Sequence, residues 1–491
     1  VNAQYGYRAV PAYAWTPDGS AIILSEGGKL RKVDVATGTV VTIPFTARVH
    51  RVMSEQPRSR VTIADTGFRA RAIQWPAGSP DGKQLAFVAV GRLWVMDLPS
   101  GVPRALAGDS TTGVVLTPRW SPGGDRLIYA TWVDRSRGQV WTVAPAGGAP
   151  VRVTRDAGEY YSPVLTAEGP IVVRGPGSRA PDWNGWDARG GWQIVRIGPD
   201  GAAGAPLGSV REPRQLFNLG ADVSVADQLE NAAGPGSLYK PFPSEGTPRQ
   251  GVRVSRVPLA GGSAQPVATL PARRAGVFGH PALSPDGRWL AFETAGSVWV
   301  QDLRALASPD SAITTDPNVA VPGRTRVGDL GGSYPGWRDA TTLELSSGSR
   351  YVIYDVERST VTVVPIALDV PRPLPSGAIA LVGARIITID GDRVIPSGTV
   401  VVRGARIACV GDCDTTGVSR VVDVRGKTII PGLVDVHAHH TTEASGVIPF
   451  HRPASASALA YGVTTIVDPS ASPRSVFPLA ELVDAGRMIG P

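Results

Sequence analysis

The chain has 491 residues, too many for one ordinary hydrophobic core, so two or more domains are expected. A content of 42% hydrophobic and 19% charged residues excludes a disordered chain, and no apolar run approaches the ~18 residues of a membrane-spanning helix. The net charge of +7 comes from scattered arginines without a dense basic run or interleaved aromatics, which argues against a nucleic-acid surface. Gly and Pro, 58 and 44 residues without any collagen-like period, point instead to many tight turns between short strands.

From the N-terminus, one pattern recurs through the first three quarters of the chain. An aromatic or apolar residue precedes Ser/Thr-Pro-Asp-Gly, and an apolar strand, a Gly turn and a second strand follow. The clearest copies are Thr16-Pro17-Asp18-Gly19, Ser79-Pro80-Asp81-Gly82, Ser121-Pro122-Gly123-Gly124 and Ser284-Pro285-Asp286-Gly287. Degenerate copies stand at Thr166-Ala167-Glu168-Gly169 and near Trp337-Arg338-Asp339. Pro fixes φ and Gly accepts positive φ, so each copy sets a turn, and the flanking β-branched and aromatic residues suit half-buried strands. Repetition every forty residues or so predicts stacked units, as in propeller blades. About six blades are expected over residues 1–370, with a long irregular insertion around 203–250. These repeats resemble the TolB-like propeller family over most of residues 10–365. His50 and His280 fall in propeller turns and read as structural.

Residues 371–377 read as a proline-rich linker, within Val370-Pro-Arg-Pro-Leu-Pro-Ser-Gly377. Over 378–428 the pattern predicts a small β domain, with strands Ala378–Asp390 and Ser397–Val410 around turns at Gly391-Asp392 and Arg403-Gly404. Its two cysteines, Cys409 and Cys413, are too few for a disulfide scaffold or a zinc site alone; a local disulfide and two free thiols both remain open. From 429 onward the order is strand, helix (Ala454–Tyr461), strand (Val463–Val467) and helix (Val476–Ala485), the opening of a parallel α/β array. A third strand is expected to begin at Arg487-Met-Ile-Gly-Pro491. The apolar run Ile429–Val436 suits a strand buried on both faces.

Four of the six histidines lie between 437 and 451, and that density suggests a metal. Residues two apart on a strand share a face, so Asp435, His437 and His439 are expected to point one way, His440 the other. His451 falls in the following loop and reads as solvated. Asp468, at the end of the second strand, is a weak site candidate.

Thr428-Ile-Ile-Pro-Gly-Leu-Val-Asp-Val-His-Ala-His439 resembles the first-strand motif of the amidohydrolase superfamily. Gly383–Asp390 with Val400–Gly411 resembles the small β domain ahead of such barrels, and Tyr461–Asp468 resembles their second strand. A propeller fused in front resembles a bacterial subgroup near the imidazolonepropionase-like and dipeptidase-like branches. The overall expectation is therefore mainly β: a propeller, a small β-sandwich-like domain, and the first units of a TIM-type (β/α)8 barrel over 429–491.

The resemblance implies metal-dependent hydrolysis of a carbon–nitrogen bond in an amide, cyclic amide or small peptide. His437 and His439 would ligate one or two divalent ions, usually Zn²⁺, with Asp435 behind them and the substrate as the partner. The other ligands and the catalytic Asp of the family come from later strands, which would lie downstream of Pro491, so no residue of this chain is assigned a catalytic role. A barrel of eight strands needs roughly 250 residues, and residues 1–491 alone are therefore expected to be an inactive, truncated part of the enzyme. A propeller-based binding or scaffold protein is the alternative. A serine peptidase is excluded, since no Gly-x-Ser-x-Gly elbow occurs. The chain starts at Val1 without a recognisable leader; a periplasmic or secreted location is preferred to a cytoplasmic one, and homo-oligomerisation is left open.

Overall fold

The computed structural model describes residues 13–48, 50, 66–108, 113–175, 191–210, 216–220, 222–228, 251–271, 281–294, 296–306, 313–314, 316, 318–438, 450–469, 471 and 473–491. The chain forms two compact units, one of residues 1–63 with 231–249 and one of 64–230 with 250–491. In the first unit, Tyr13–Trp15, Ala21–Glu26, Lys29–Asp34 and Val40–Ile43 form a four-stranded antiparallel meander. Tyr13, Trp15, Val40, Val41 and Phe45 of this unit are exposed.

The second unit holds six more four-stranded meanders, each running from an inner to an outer strand. Blade 1 spans Gln74–Gly78 to Arg104–Ala107, blade 2 Val114–Trp120 to Val151–Arg152, and blade 3 Tyr160–Thr166 to Ala203–Val210. Blade 4 spans Leu216–Asn218 to Gln265–Pro271, blade 5 Ala282–Leu283 to Arg324–Arg326, and blade 6 Ser333–Trp337 to Thr360–Pro365. Each blade packs on the next, and the inner strand of blade 6 packs back on that of blade 1. The ring therefore closes with six blades inside the second unit, and the chain as a whole is mainly β. The stretch expected to be irregular supplies the outer strand of blade 3 and the first two strands of blade 4; residues 229–250 lie outside the described residues.

The Ser-Pro-Asp-Gly turns work as their chemistry predicts. Ser79 Oγ donates to Asp81 Oδ1 (2.6 Å) and accepts from the Gln84 amide (2.9 Å), while the Gly82 amide closes on Ser79 O at φ +69°. Ser284 and Asp286 repeat these contacts at 2.6 Å and 2.9 Å. A second repeat lies on the inner strands. Trp75, Thr117, Ser162 and Tyr334 all have positive φ, each precedes a proline, and each sits where the pairing with the second strand slips. These bulges re-aim the side chains: Thr117 Oγ1 accepts the Ser162 amide of the next blade (2.9 Å), Ser162 Oγ accepts the Leu216 amide of the one after (2.7 Å), and the rings of Trp75 and Tyr334 meet each other. Three residues further on, Trp120 and Trp337 tie their blades to the preceding ones, donating to Ala77 O (2.8 Å) and Ala282 O (2.9 Å).

Closure of blade 6 on blade 1 is polar at its centre. Glu344 is buried; one carboxylate oxygen accepts the Gly78 amide of blade 1 (2.8 Å), the other the Tyr351 hydroxyl (2.5 Å), with Arg338 3.6 Å away. Burial pushes the Glu344 carboxyl above its ordinary range, against the pull of these hydrogen bonds. Gln74 Nε2 donates to Tyr334 Oη (3.1 Å) and the Ile73 amide to Gly348 O (3.0 Å) across the same seam.

After the ring, Asp369–Pro371 pairs with Gly67–Arg69, so a strand runs into the start of the segment read as a linker. Residues 378–429 then form a five-stranded sheet. Ala378–Ile387 lies between the antiparallel Val394–Arg403 and the parallel Arg420–Asp423 and Thr428–Ile429, over a core of Ala384, Ile386 and Val400. The alternative left open for the cysteines resolves as a Cys409–Cys413 disulfide.

The apolar run 429–436 is not one buried strand. Thr428–Ile429 joins the small sheet, Pro431 and Gly432 interrupt, and Leu433–Asp435 pairs in parallel with Val463–Ile466. Pro431 has no amide to donate, and a side chain at 432 would collide with Thr464. Leu433, Val434 and Val436 are exposed, because the described residues place two parallel strands here and cover neither face. Helix α1 (Pro453–Ala460) links the pair, and helix α2 (Pro473–Asp484) follows. Among the described residues no helix is long and apolar enough to cross a membrane.

Removing the seam's carboxylate tests this account of ring closure. Glu344→Ala leaves the Gly78 amide and the Tyr351 hydroxyl without their acceptor, and should cost about 2–4 kcal/mol. Urea unfolding reads this directly; an unchanged midpoint would mean that apolar packing closes the ring unaided.

Candidate functional site

The strand Leu433–Asp435 ends at Asp435, and the chain bends through Val436 and His437. The expected alternation therefore stops before the histidines. Asp435 Oδ1 instead turns back to accept the His437 amide at 3.0 Å, so Asp435 shapes the strand end. His437 is exposed there, while His439 and His440 lie outside the described residues. Asp468 follows the neighbouring strand; the Ala471 amide closes on its carbonyl (3.4 Å), and Val467 N donates to Asp435 O (2.8 Å). The parallel pairing thus brings Asp435, His437 and Asp468 to the C-terminal ends of two adjacent strands. Among the described residues no group of three or more His, Cys, Asp or Glu side chains is close enough to hold a metal ion. Asp435, His437 and Asp468 by themselves do not make a zinc site.

The third strand expected at 487–491 does not form among the described residues. After α2 the chain turns at Gly486, where the Arg487 and Met488 amides both close on Leu482 O (2.9 and 3.2 Å), and runs without strand pairing to the half-buried Pro491. With those amides spent on the end of the helix, and Met488 drawn into the apolar cluster of blade 1, this stretch follows the propeller surface and adds no third strand to the parallel pair. Among the described residues this parallel sheet therefore has two strands.

His451 is not simply solvated. Asp134, in the turn between the second and third strands of blade 2, accepts the His451 backbone amide and contacts its Nδ1, both at 2.8 Å through Oδ2. Its other oxygen accepts the Trp132 indole N–H, also at 2.8 Å. The imidazole is 77% exposed, so it is held by one edge.

Helix α2 has no functional mark in its residues, yet it and the residues just after it join the C-terminal segment to the ring. Leu479, Leu482 and Met488 enter one apolar cluster with Leu85, Phe87 and Val90 of blade 1. Arg487 donates to Val90 O (2.7 Å) and Gly108 O (2.9 Å) while lying 4.7 Å from the Phe450 ring. Arg372 pairs with Asp484 at 2.8 Å. At the centre, Glu481 is fully buried. Its Oε1 accepts the Arg71 amide (2.7 Å) with Arg71 Nε at 3.5 Å, and its Oε2 has no hydrogen-bond partner. Burial pushes its carboxyl up to about 7 against the opposing pull of Arg71, and nearby Asp484 adds to the rise. The docked face carries the turns between second and third strands; the Ser-Pro-Asp-Gly turns lie at the opposite end of each blade.

A closed ring of six four-stranded antiparallel meanders defines a β-propeller, here followed by a small mixed sheet and a parallel strand–helix–strand unit. No family model matches the chain, and no curated protein matches it. Solved structures are similar in fold. Hydrazine synthase of Kuenenia stuttgartiensis aligns over 74% of this chain and 98% of its own, at 16% identity and a TM-score of 0.37. TolB from Acinetobacter baumannii aligns over 59% of this chain and 60% of its own, at 15% identity and a TM-score of 0.33. The tricorn protease aligns over 73% of this chain and 35% of its own, at 13% identity and a TM-score of 0.32. At these values the likeness carries no function, and the propeller assignment rests on the sheet geometry.

Glu481 makes the docking of α2 depend on pH. Its carboxyl is raised in the docked state, so its contribution is fully present below the ordinary value of 4.5 and is lost as pH rises through about 7. The loss amounts to about 3 kcal/mol at most. Amide exchange of α2 should quicken between pH 5 and pH 8 once corrected for intrinsic rates. Glu481→Gln should flatten that profile and slow exchange at pH 8; a profile unchanged by the substitution would contradict the assignment.

Proposed function

We propose that residues 429–491 belong to a metal-dependent hydrolase of carbon–nitrogen bonds, with His437 and His439 as two of its metal ligands. The observation that carries this reading is the unit Leu433–Asp435, α1, Val463–Ile466. The two strands pair in parallel across a helix, and the His-x-His sequence falls just past the C-terminal end of the first. In closed parallel barrels, that end of the strands carries the chemistry. Neutral imidazole suits Zn²⁺, which when bound lowers the pKa of a coordinated water and polarises a carbonyl. Asp435, bonded to the His437 amide, would hold the strand end that presents the histidines. The substrate class is an amide, cyclic amide or small peptide. The local disulfide fits an oxidising compartment and supports a periplasmic or secreted location.

A second reading, a propeller-based binding protein, is favoured by the closed ring of six blades, which makes up most of the described residues. Metal analysis separates the two. Replacing both His437 and His439 by Ala should weaken zinc binding more than about 100-fold, with a milder effect from His440→Ala. Zinc content unaffected by the double substitution would remove the hydrolase reading and leave the binding protein.

A further inference from the structure

Side chains from blades 1, 3 and 6 meet on the axis of the ring. Trp75 of blade 1 stands edge-on to Tyr161 of blade 3, with centroids 6.5 Å apart, and lies 5.3 Å from Tyr334 of blade 6. Beside them is a carboxylate. Glu293, on the second strand of blade 5, accepts the Tyr334 amide through Oε1 at 3.0 Å, a bond set up by the bulge that holds Tyr334 at positive φ. The other oxygen of Glu293 faces Nη1 of Arg474 at 3.5 Å, and the guanidinium lies 5.6 Å from the Tyr334 ring centroid. Both charged side chains are only 14% exposed.

The host and the guest have different origins. Trp75, Tyr161, Tyr334 and Glu293 are each fixed by a blade, through strand pairing that owes nothing to α2. Arg474 arrives on the second residue of α2, 181 positions from Glu293 in sequence. A carboxylate beside an aromatic face is the chemistry that recognises a cation, and a planar guanidinium uses both partners at once where an ammonium uses them less well. The Glu293–Arg474 contact is 3.5 Å, and the guanidinium uses the carboxylate and the ring of Tyr334 together. The indole N–H of Trp75, also buried here, finds no hydrogen-bond partner.

We propose that the axial end of the propeller is a binding site for an arginine side chain, filled in this chain by its own Arg474. An arginine presented by a peptide would compete with Arg474, and its binding would oppose the docking of α2.

The test uses the chain with Arg474→Ala and two probes, N-acetyl-arginine amide and its uncharged isostere N-acetyl-citrulline amide, followed by calorimetry. The variant should bind the arginine probe at least tenfold more tightly than the unsubstituted chain does, and at least tenfold more tightly than it binds the citrulline probe. Adding Glu293→Gln should abolish that preference. Equal binding of the two probes, no binding, or a preference that survives Glu293→Gln would each overturn the proposal. Should Arg474→Ala fail to fold, the unsubstituted chain still decides. The arginine probe in excess should quicken amide exchange in α2 where the citrulline probe does not, and identical exchange with both would overturn it.

Discussion

A four-stranded meander with apolar residues on both faces cannot rest with either face in water. Each blade covers one face of the next, which transfers the problem around the ring until the last blade must cover the first. Everything else in the second unit depends on that return. The largest apolar cluster runs through blades 1, 2 and 3 into blade 4 and takes in Tyr334 of blade 6. At the seam itself the structure places a buried carboxylate, Glu344, instead of more hydrocarbon. An apolar seam would slide; Glu344 accepts from one named amide on blade 1 and one hydroxyl on blade 6, and so fixes where the two blades meet. Buried polar groups serve best when they specify a register, and a ring closes properly in only one.

The C-terminal segment inherits its order from that frame. Its first parallel strand exposes Leu433 and Val434, Val467 just past the second is exposed as well, and its first helix buries little besides Ser455. By contrast α2 buries Leu479, Glu481 and Leu482 against blade 1, with Arg487 and Phe450 beside it. His451 is caught by Asp134 on blade 2. The propeller is thus a template for the helix as well as a neighbour to it, and the parallel pair is carried along by its connections.

How much of this the residues announce depends on the range of the interaction. The Ser-Pro-Asp-Gly turns are legible because every bond in them falls within five residues. The strand–helix–strand unit is legible for a similar reason: Gly462 stops α1 and an apolar run follows it. Glu344, Glu293, Glu481 and Arg474 are not, because their partners lie 266, 181, 410 and 181 positions away and leave no local pattern. The strands at 203–210 and 216–228 are hidden by Gly-rich and polar composition, which reads as loop until a neighbouring blade supplies the pairing. The histidines mark the opposite limit. An apolar lead invites a strand extended through His439, but Asp435 bends the chain two residues earlier by bonding the His437 amide. One signal in the sequence does point to the bulges. Pro76, Pro118, Pro163 and Pro335 each stand three residues ahead of the turn that ends their strand, and Pro281 keeps the same spacing before Ser284.

Those prolines reach beyond the geometry of the bulge. Among the described residues the inner strand of each blade of the ring pairs with another strand on one side only, and an edge of that kind is where foreign chains add and aggregates grow. A proline in the middle of such an edge removes a donor, and the slipped residue before it breaks the straight run of donors and acceptors that an incoming strand would need. Four blades carry the pair at an equivalent place. The same few atoms that set Trp75 and Tyr334 therefore also make the inner edges poor templates for another polypeptide strand.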